Sequence, residues 1–406
     1  MEDLKTWFLE REDQDERPVY RQLYEEMCSK VKAELLPNLP QFSFIMFKPD
    51  AYMRGIIPEI LAYANQNGVY HSLFKVQKLS SEIIDRLYMF VKPKYISSWW
   101  IMEKAYDAAP CVPMLLISDQ NSSIHLSGKV RELLGPTTPL LGDEHQIRYR
   151  FRGTHRIFNI LHGTDDPATA VRESRVFFTW DEISNALHQA HELSRGHKPP
   201  LENPESIRDK LTSPNPHDIN YPRARLRLKL SVLESVRGRL NLLTKDSLFK
   251  DKSDGIGSKL NQLMQDLAGL LTREQRILDD ERQLRVERKM LAPVLELQHI
   301  VCNLGKQLVT DVLTKLAQDV QDYSNIQQKS VVFYDLIDAF SICIAMSNDV
   351  EFRKLGFNEL SRAAVRIGIQ HDHLDWLVLH AGLSVLDTEF ADYVGRYKSV
   401  YLEEKE

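Results

Sequence analysis

Cysteine is scarce in this chain. Cys28, Cys111, Cys302 and Cys343 are scattered through 406 residues, and no two form a C-x-x-C pair. That spacing suggests neither a disulfide framework nor a zinc site, and a reducing cytoplasm is the natural compartment. No apolar run reaches the roughly 20 residues needed to cross a bilayer, so no membrane partner is expected. The opening Met1-Glu2-Asp3-Leu4-Lys5 lacks the basic-then-apolar order of a signal peptide. Positive charge is not in excess: 52 Lys and Arg face 57 Asp and Glu, a net charge of -5, which argues against a globally basic nucleic-acid binder. Glycine-rich phosphate loops are missing too. No G-x-x-x-x-G-K-S/T and no G-x-G-x-x-G occurs, which argues against a P-loop or Rossmann nucleotide site.

What is present suffices for ordinary globular cores: 43% of residues are hydrophobic, and the length fits two or three domains. Residues 1 to about 36 carry Trp7, Phe8, Tyr20, Leu23, Tyr24, Met27 and Val31 at helical spacing, until Pro37 and Pro40 break the pattern. This helical arm is expected to pack on the next domain or on a partner chain. Strands are expected at Phe42–Phe47, Phe74–Leu79, Cys111–Ser118 and Ile157–Leu161. Helices are expected at Pro58–Gln66, Ser81–Met102 (interrupted at Pro93), Val130–Leu134 and Ala168–Phe177, the last entered past Asp166 and Pro167.

Two segments concentrate the chemistry. Phe47-Lys48-Pro49-Asp50-Ala51-Tyr52-Met53-Arg54-Gly55 closes the first strand. Asn159-Ile160-Leu161-His162-Gly163-Thr164-Asp165 places one histidine after an apolar run. Together they resemble the nucleoside diphosphate kinase family, whose nucleophilic histidine lies in an N-I-I-H-G-S-D type motif and whose first strand ends in K-P-D. The resemblance runs in order from about Phe42 to about Trp180. Val130 to Pro139 resembles the family's R-x-x-x-G-x-T-x-P stretch, and Ile147-Arg148 its next phosphate arginine.

The resemblance implies a ferredoxin-like nucleoside diphosphate kinase-type domain; the helical pattern from about Arg223 onward adds an all-α helical domain, which makes the chain α+β. It implies His162 as nucleophile, Lys48 as a phosphate-facing catalytic lysine and Glu173 as the carboxylate that orients the histidine. Tyr88, Arg131, Thr137, Arg148 and Asn159 are implied to bind nucleotide or phosphate. The implied reaction moves the terminal phosphate of ATP, or another nucleoside triphosphate, to a nucleoside diphosphate through a phosphohistidine. Mg²⁺ would be carried by the nucleotide's phosphates, with no protein metal ligands, and the family implies a homo-oligomer.

These residue types suit phosphoryl transfer, which depends on positioning and charge neutralisation. Lys48, Arg131 and Arg148 supply cations, and arginine can clamp phosphate oxygens with parallel hydrogen bonds. An imidazole is nucleophilic when neutral, the dominant form at pH 7 for an unperturbed histidine. Glu173 lies eleven residues beyond His162, so its orienting role rests on the resemblance alone.

The chain departs from the family pattern at several points. Ala51 stands where glycine is usual, Thr164 where serine is, and Tyr149-Arg150 where Gly-Asp commonly follows the arginine. About one extra residue separates Arg148 from Asn159. The segment between Tyr88 and Pro110 is longer, and Trp99 and Tyr95 are both candidates for holding the base.

Residues 1–40 are taken as the arm, 41–190 as the kinase-like domain, 191–222 as a proline-rich linker or wrap, and 223–406 as a helical domain. Leu263, Leu270, Ile277, Leu284 and Leu291 recur every seven residues, which fits a short coiled coil or one face of a bundle. The helical domain is a candidate for oligomerisation or for docking a protein partner. Arg223, Arg225, Arg227 and Lys229 form a basic cluster whose simplest reading is a solvated junction. His371, Asp372, His373 and Asp375 fit a polar helix start better than a metal site. Two other functions stay open: an inactive nucleotide-binding sensor or scaffold, and a nucleotide-consuming effector.

Overall fold

The computed structural model describes residues 2–118, 124–197, 204–245, 359–369 and 374–382, with residues 262, 265, 268, 269, 272, 275, 276 and 342. The chain divides into two compact units, Met1–Ile219 and Asn220–Glu406. The leucine repeat, Cys302, Cys343, His371, Asp372 and His373 lie outside the described residues.

The first unit begins with α1 (Glu2–Leu9) and α2 (Glu16–Lys30). The sequence suggested one continuous helical region, but a polar break at residues 10–15 separates two helices. Tyr20, Leu23 and Met27 recur at i, i+3 and i+7, so one face of α2 is buried. Pro37 and Pro40 then impose a 3-10 turn, Leu36–Gln41. The strands are β1 (Phe42–Phe47), β2 (Tyr70–Phe74), β3 (Val112–Ile117) and β4 (Leu161–Gly163). They form one antiparallel sheet in the order β2-β3-β1-β4. β1 and β3 are buried at every residue, as expected for central strands covered on both faces.

Between β1 and β3 come α3 (Pro49–Met53), α4 (Ile57–Gln66), α5 (Ser81–Leu87) and α6 (Trp99–Asp107). α7 (Leu126–Leu134) and α8 (Ile147–Arg150) precede β4; α9 (Pro167–Ser174), α10 (Trp180–Ser194) and α11 (Pro204–Leu211) follow it. This is a ferredoxin-like α+β arrangement. The arm belongs to its core: Phe8, Tyr20, Met27 and Leu39 share one apolar cluster with Phe42, Phe44, Phe178, Ile183 and Leu187. Each such fully buried side chain contributes about 1.5–3 kcal/mol.

Two strand expectations need correction. The second strand lies at Tyr70–Phe74, not Phe74–Leu79; beyond it Lys75 N–H donates to Pro113 O and Gln77 forms an isolated bridge with Cys111. A bulge between His71 and Leu73 shifts the pairing there. The apolar run Ile157–Leu161 is not a strand, because the chain turns at Ile160 before β4 starts. The helix expected over Ser81–Met102 is two helices joined by a 3-10 turn at Lys92–Ser98. The proline-rich segment contains α11 and wraps the first unit: Ser213 N–H donates to Tyr52 O, and His217 N–H to Met53 O.

The second unit is helical in its described residues, with α12 (Tyr221–Lys245) and further helix at 359–366 and 374–382. The basic cluster is not a solvated junction. Arg225 and Lys229 are buried on α12, and Arg227 forms a two-pronged ion pair with Asp375 at 2.7 and 2.5 Å. Long basic side chains of this kind can bury their stems against apolar surface, and the Arg227 head is neutralised by Asp375.

Candidate active site

His162 stands on the short edge strand β4, opposite Met46 of β1. Its placement depends on the turn before it. Leu161 N–H donates to Asn159 O at 2.9 Å, across a single central residue, Ile160, whose φ is +78°. That is a γ-turn of the rare hand, costly for a β-branched residue. Asp50 holds it: its Oδ2 accepts the Ile160 N–H at 2.8 Å. Lys48 N–H also donates to Ile160 O at 2.9 Å. The first motif thus clamps the second, and the strained turn delivers His162 to the end of the sheet.

The imidazole is about one-fifth exposed. Its Nε2 lies 2.5 Å from Glu173 Oε2, on α9. A carboxylate accepts, so Nε2 carries a proton, and in the neutral ring the lone pair lies on Nδ1. Nδ1 has no hydrogen-bond partner among the described residues. Tyr88, at the C-terminal end of α5, packs its ring edge-on to His162 with centroids 5.1 Å apart. Its hydroxyl is bonded to that of Tyr106, and burial pushes the Tyr88 phenol well above its usual range.

Lys48 is buried at the end of β1. Its Nζ donates to Ile157 O at 3.0 Å and lies 5.9 Å from the Tyr106 ring centre. Burial pushes its pKa down to about 8; nearby Asp50 opposes this and Arg148 adds to it. Arg148 is buried too. It forks between Gly135 O at 2.8 Å and Leu161 O at 2.9 Å, while its buried Nε has no partner among the described residues. Burial, then the charge of Arg131, pushes the Arg148 pKa down to about 10. Lys48 and Arg131 thus both lie within electrostatic reach of Arg148. Arg131 is more exposed and pairs with Asp165 at 3.0 Å.

Asn159 is buried, donates Nδ2–H to Thr137 O at 2.9 Å and leaves its Oδ1 without a partner among the described residues. Thr137 is exposed on the loop after α7. Lys48, Tyr88, Arg148, His162 and Glu173 are therefore linked by contacts or mutual fields, and Asn159 ties in Thr137. Of the candidate base holders, Trp99 is buried against Tyr88 and Tyr95 is half exposed. His155 is buried beside Lys48, and burial holds its pKa down at about 3.

Comparison with known proteins bears directly on this arrangement. The nucleoside diphosphate kinase family model matches residues 41–183. The nucleoside diphosphate kinase of Pelotomaculum thermopropionicum is 31% identical over 144 residues, covering 35% of this chain and 89% of that protein. This chain belongs to the nucleoside diphosphate kinase family. The enzyme of that name from Staphylothermus marinus is 29% identical over 143 residues, covering 35% of this chain and 94% of its own. A crystal structure of the Aquifex aeolicus nucleoside diphosphate kinase is 24% identical, with a TM-score of 0.31, covering 35% of this chain and 97% of that one.

The match starts at residue 41, so both arm helices lie before it. This family member carries three residues at the site that sequence reasoning did not single out. Asp50 restrains the Ile160 turn, Tyr106 meets Tyr88, and Arg172 donates to Glu173 Oε1 at 2.7 Å. Asp50 sits inside the K-P-D motif and Arg172 directly precedes Glu173, so both were findable from their neighbours.

Proposed function

We propose that this chain transfers the terminal phosphate of a nucleoside triphosphate to a nucleoside diphosphate through His162. The observation that carries the reading is the Glu173–His162 contact. It fixes the proton on Nε2 and leaves Nδ1 to attack.

In the first half-reaction the Nδ1 lone pair forms a bond to the terminal phosphorus. The bond from that phosphorus to the bridging oxygen breaks, and its electron pair leaves on the nucleoside diphosphate. Glu173 balances the positive charge that develops on the ring. In the second half-reaction a terminal oxygen of another diphosphate attacks the phosphorus, and the P–N bond breaks back to His162. Lys48, Arg131 and Arg148 neutralise the phosphate oxygens, and the Thr137 hydroxyl and Asn159 add polar contacts. Tyr88 flanks the ring that attacks.

The donor set is cationic. The exposed carboxylate of Asp165 is paired with Arg131, and among the described residues no cluster of three metal-ligating side chains occurs. This chemistry fits Mg²⁺ that arrives on the nucleotide's own phosphates. It would be held by those phosphates rather than by protein side chains, and would supply charge neutralisation there. The base is assigned to the segment 89–100, where Met89, Val91, Tyr95, Ile96 and Trp100 expose apolar surface.

Residues 41–190 are taken as the transfer domain in the cytoplasm, 191–222 as its wrap, and 223–406 as a helical domain for homo-oligomer assembly or partner docking. Light scattering on the full chain reads the assembly. The function is tested by following phosphate exchange between ATP and several nucleoside diphosphates, beside plain ATP hydrolysis. Exchange that outpaces hydrolysis is expected. Hydrolysis alone would favour a nucleotide-consuming effector, and neither would favour a sensor or scaffold.

A further inference from the structure

Glu173 cannot orient His162 unless something orients Glu173. Its carboxylate is buried; one oxygen holds the imidazole and the other accepts from Arg172. Arg172 in turn spends its donors on three elements. Its Nε–H donates to Tyr20 OH of α2 at 3.2 Å. Its two terminal nitrogens donate to Arg86 O and Leu87 O at the end of α5, each at 3.2 Å, as well as to Glu173. The guanidinium also lies 5.4 Å from the Phe90 ring centre. A planar fork with several fixed acceptors has little rotational freedom, so it defines where the Glu173 oxygen sits.

Tyr20 is itself fixed by the arm. It is fully buried, its hydroxyl lies 3.1 Å from Thr169 Oγ1, and Arg11 lies over its ring at 4.0 Å. Arg11 donates to Asp166 Oδ2 at 2.8 Å and Thr169 Oγ1 at 3.2 Å. The arm therefore grips α9 at Asp166, Thr169 and Arg172, three residues spaced by three along one helix face. Asp166 also caps that helix by accepting Thr169 N–H. Helix α9 is thus held from outside at the turns that carry Glu173.

We propose that the N-terminal arm is a working part of the phosphotransfer site, with Tyr20 and Arg172 as positioning residues that hold Glu173 on His162 Nε2. This rests on the phosphotransferase reading above. It adds that the imidazole's tautomer depends on residues that precede the family match at 41–183.

The test uses the full chain with Tyr20→Phe, Arg172→Gln and Arg172→Lys. Two quantities are read: the single-turnover rate of His162 phosphorylation by labelled ATP, and the ring-nitrogen NMR shifts of His162 without nucleotide. Arg172→Gln is expected to slow labelling about 10–100-fold, by analogy with the outer partners that orient metal-bound histidines. Tyr20→Phe, which deletes one oxygen, is expected to slow it about 2–10-fold, the equivalent of one hydrogen bond. Both shift ring signal toward the Nδ1–H tautomer with nucleotide affinity unchanged, and Arg172→Lys recovers part of the rate.

Wild-type ring shifts in both Tyr20→Phe and Arg172→Gln would overturn the proposal. Should Arg172→Gln fail to fold, the ring shifts of Tyr20→Phe alone decide it. If wild type takes no label at all, the phosphotransferase reading falls, while the ring shifts still decide whether the arm sets the tautomer.

Discussion

Glu173 Oε2 and His162 Nε2 lie 2.5 Å apart, joining α9 to the edge strand β4 across eleven residues of sequence. The carboxylate is buried and the imidazole only partly so. Glu173→Gln keeps the size and weakens the acceptor. Phosphorylation of His162 is expected to slow about 10–100-fold, with little change in nucleotide affinity. Rapid-quench labelling at saturating ATP, beside equilibrium nucleotide binding, measures both.

Asp50 restrains Ile160 at a positive φ that a β-branched residue adopts only under constraint. Asp50→Ala leaves a buried N–H without its acceptor and frees the turn. A loss of about 1–3 kcal/mol in urea unfolding is expected, together with slower labelling, because His162 follows two residues later.

Arg148 is fastened to the protein itself, through Gly135 O and Leu161 O. Lysine cannot span both carbonyls in the same geometry. Arg148→Lys is expected to lower stability by about 1–3 kcal/mol and to weaken nucleotide binding as well. A variant that lost only affinity, with an unchanged melting temperature, would show that the fork is not structural.

Lys48 gives the site a pH signature. Its pKa in the folded chain is about 8, below the ordinary 10.5. Between those values the unfolded chain binds the proton and the folded chain does not. Stability from this group therefore rises with pH across that window, and below about 8 its burial penalty is fully present. Anion binding runs the other way, since it needs the protonated amine. Nucleotide affinity is expected to fall by up to about tenfold per pH unit above pH 8, with proton uptake on binding. Calorimetry in buffers of different ionisation enthalpy measures that uptake, and Lys48→Arg should abolish it.

Much of the site was legible because its residues sit in short motifs. Lys48 at a strand end, His162 after a turn, and the order of Arg131, Arg148 and Asn159 are local patterns that survive folding. The arm's role was not legible. Tyr20 reads as one more apolar position on α2, and its bond to Arg172 joins residues 152 apart in sequence. The strand expected at Ile157–Leu161 failed for a related reason: an apolar run looks extended, but Asp50, far upstream, bends it at Ile160. Helix α10 was missed although Thr179 and Glu182 form a capping box that announces its start. The buried Arg225 and Lys229 were misread because alternating charges look solvated until a partner such as Asp375, for Arg227, arrives from elsewhere in the chain.

The proposed function stands or falls with His162 accepting phosphorus. Wild type and His162→Ala are incubated with terminally labelled ATP, denatured in alkali to preserve phosphohistidine, and compared. Acid-labile label is predicted on wild type, discharged by added nucleoside diphosphate, and absent from His162→Ala. Equal label on the two proteins would rule out His162 as the phosphate acceptor.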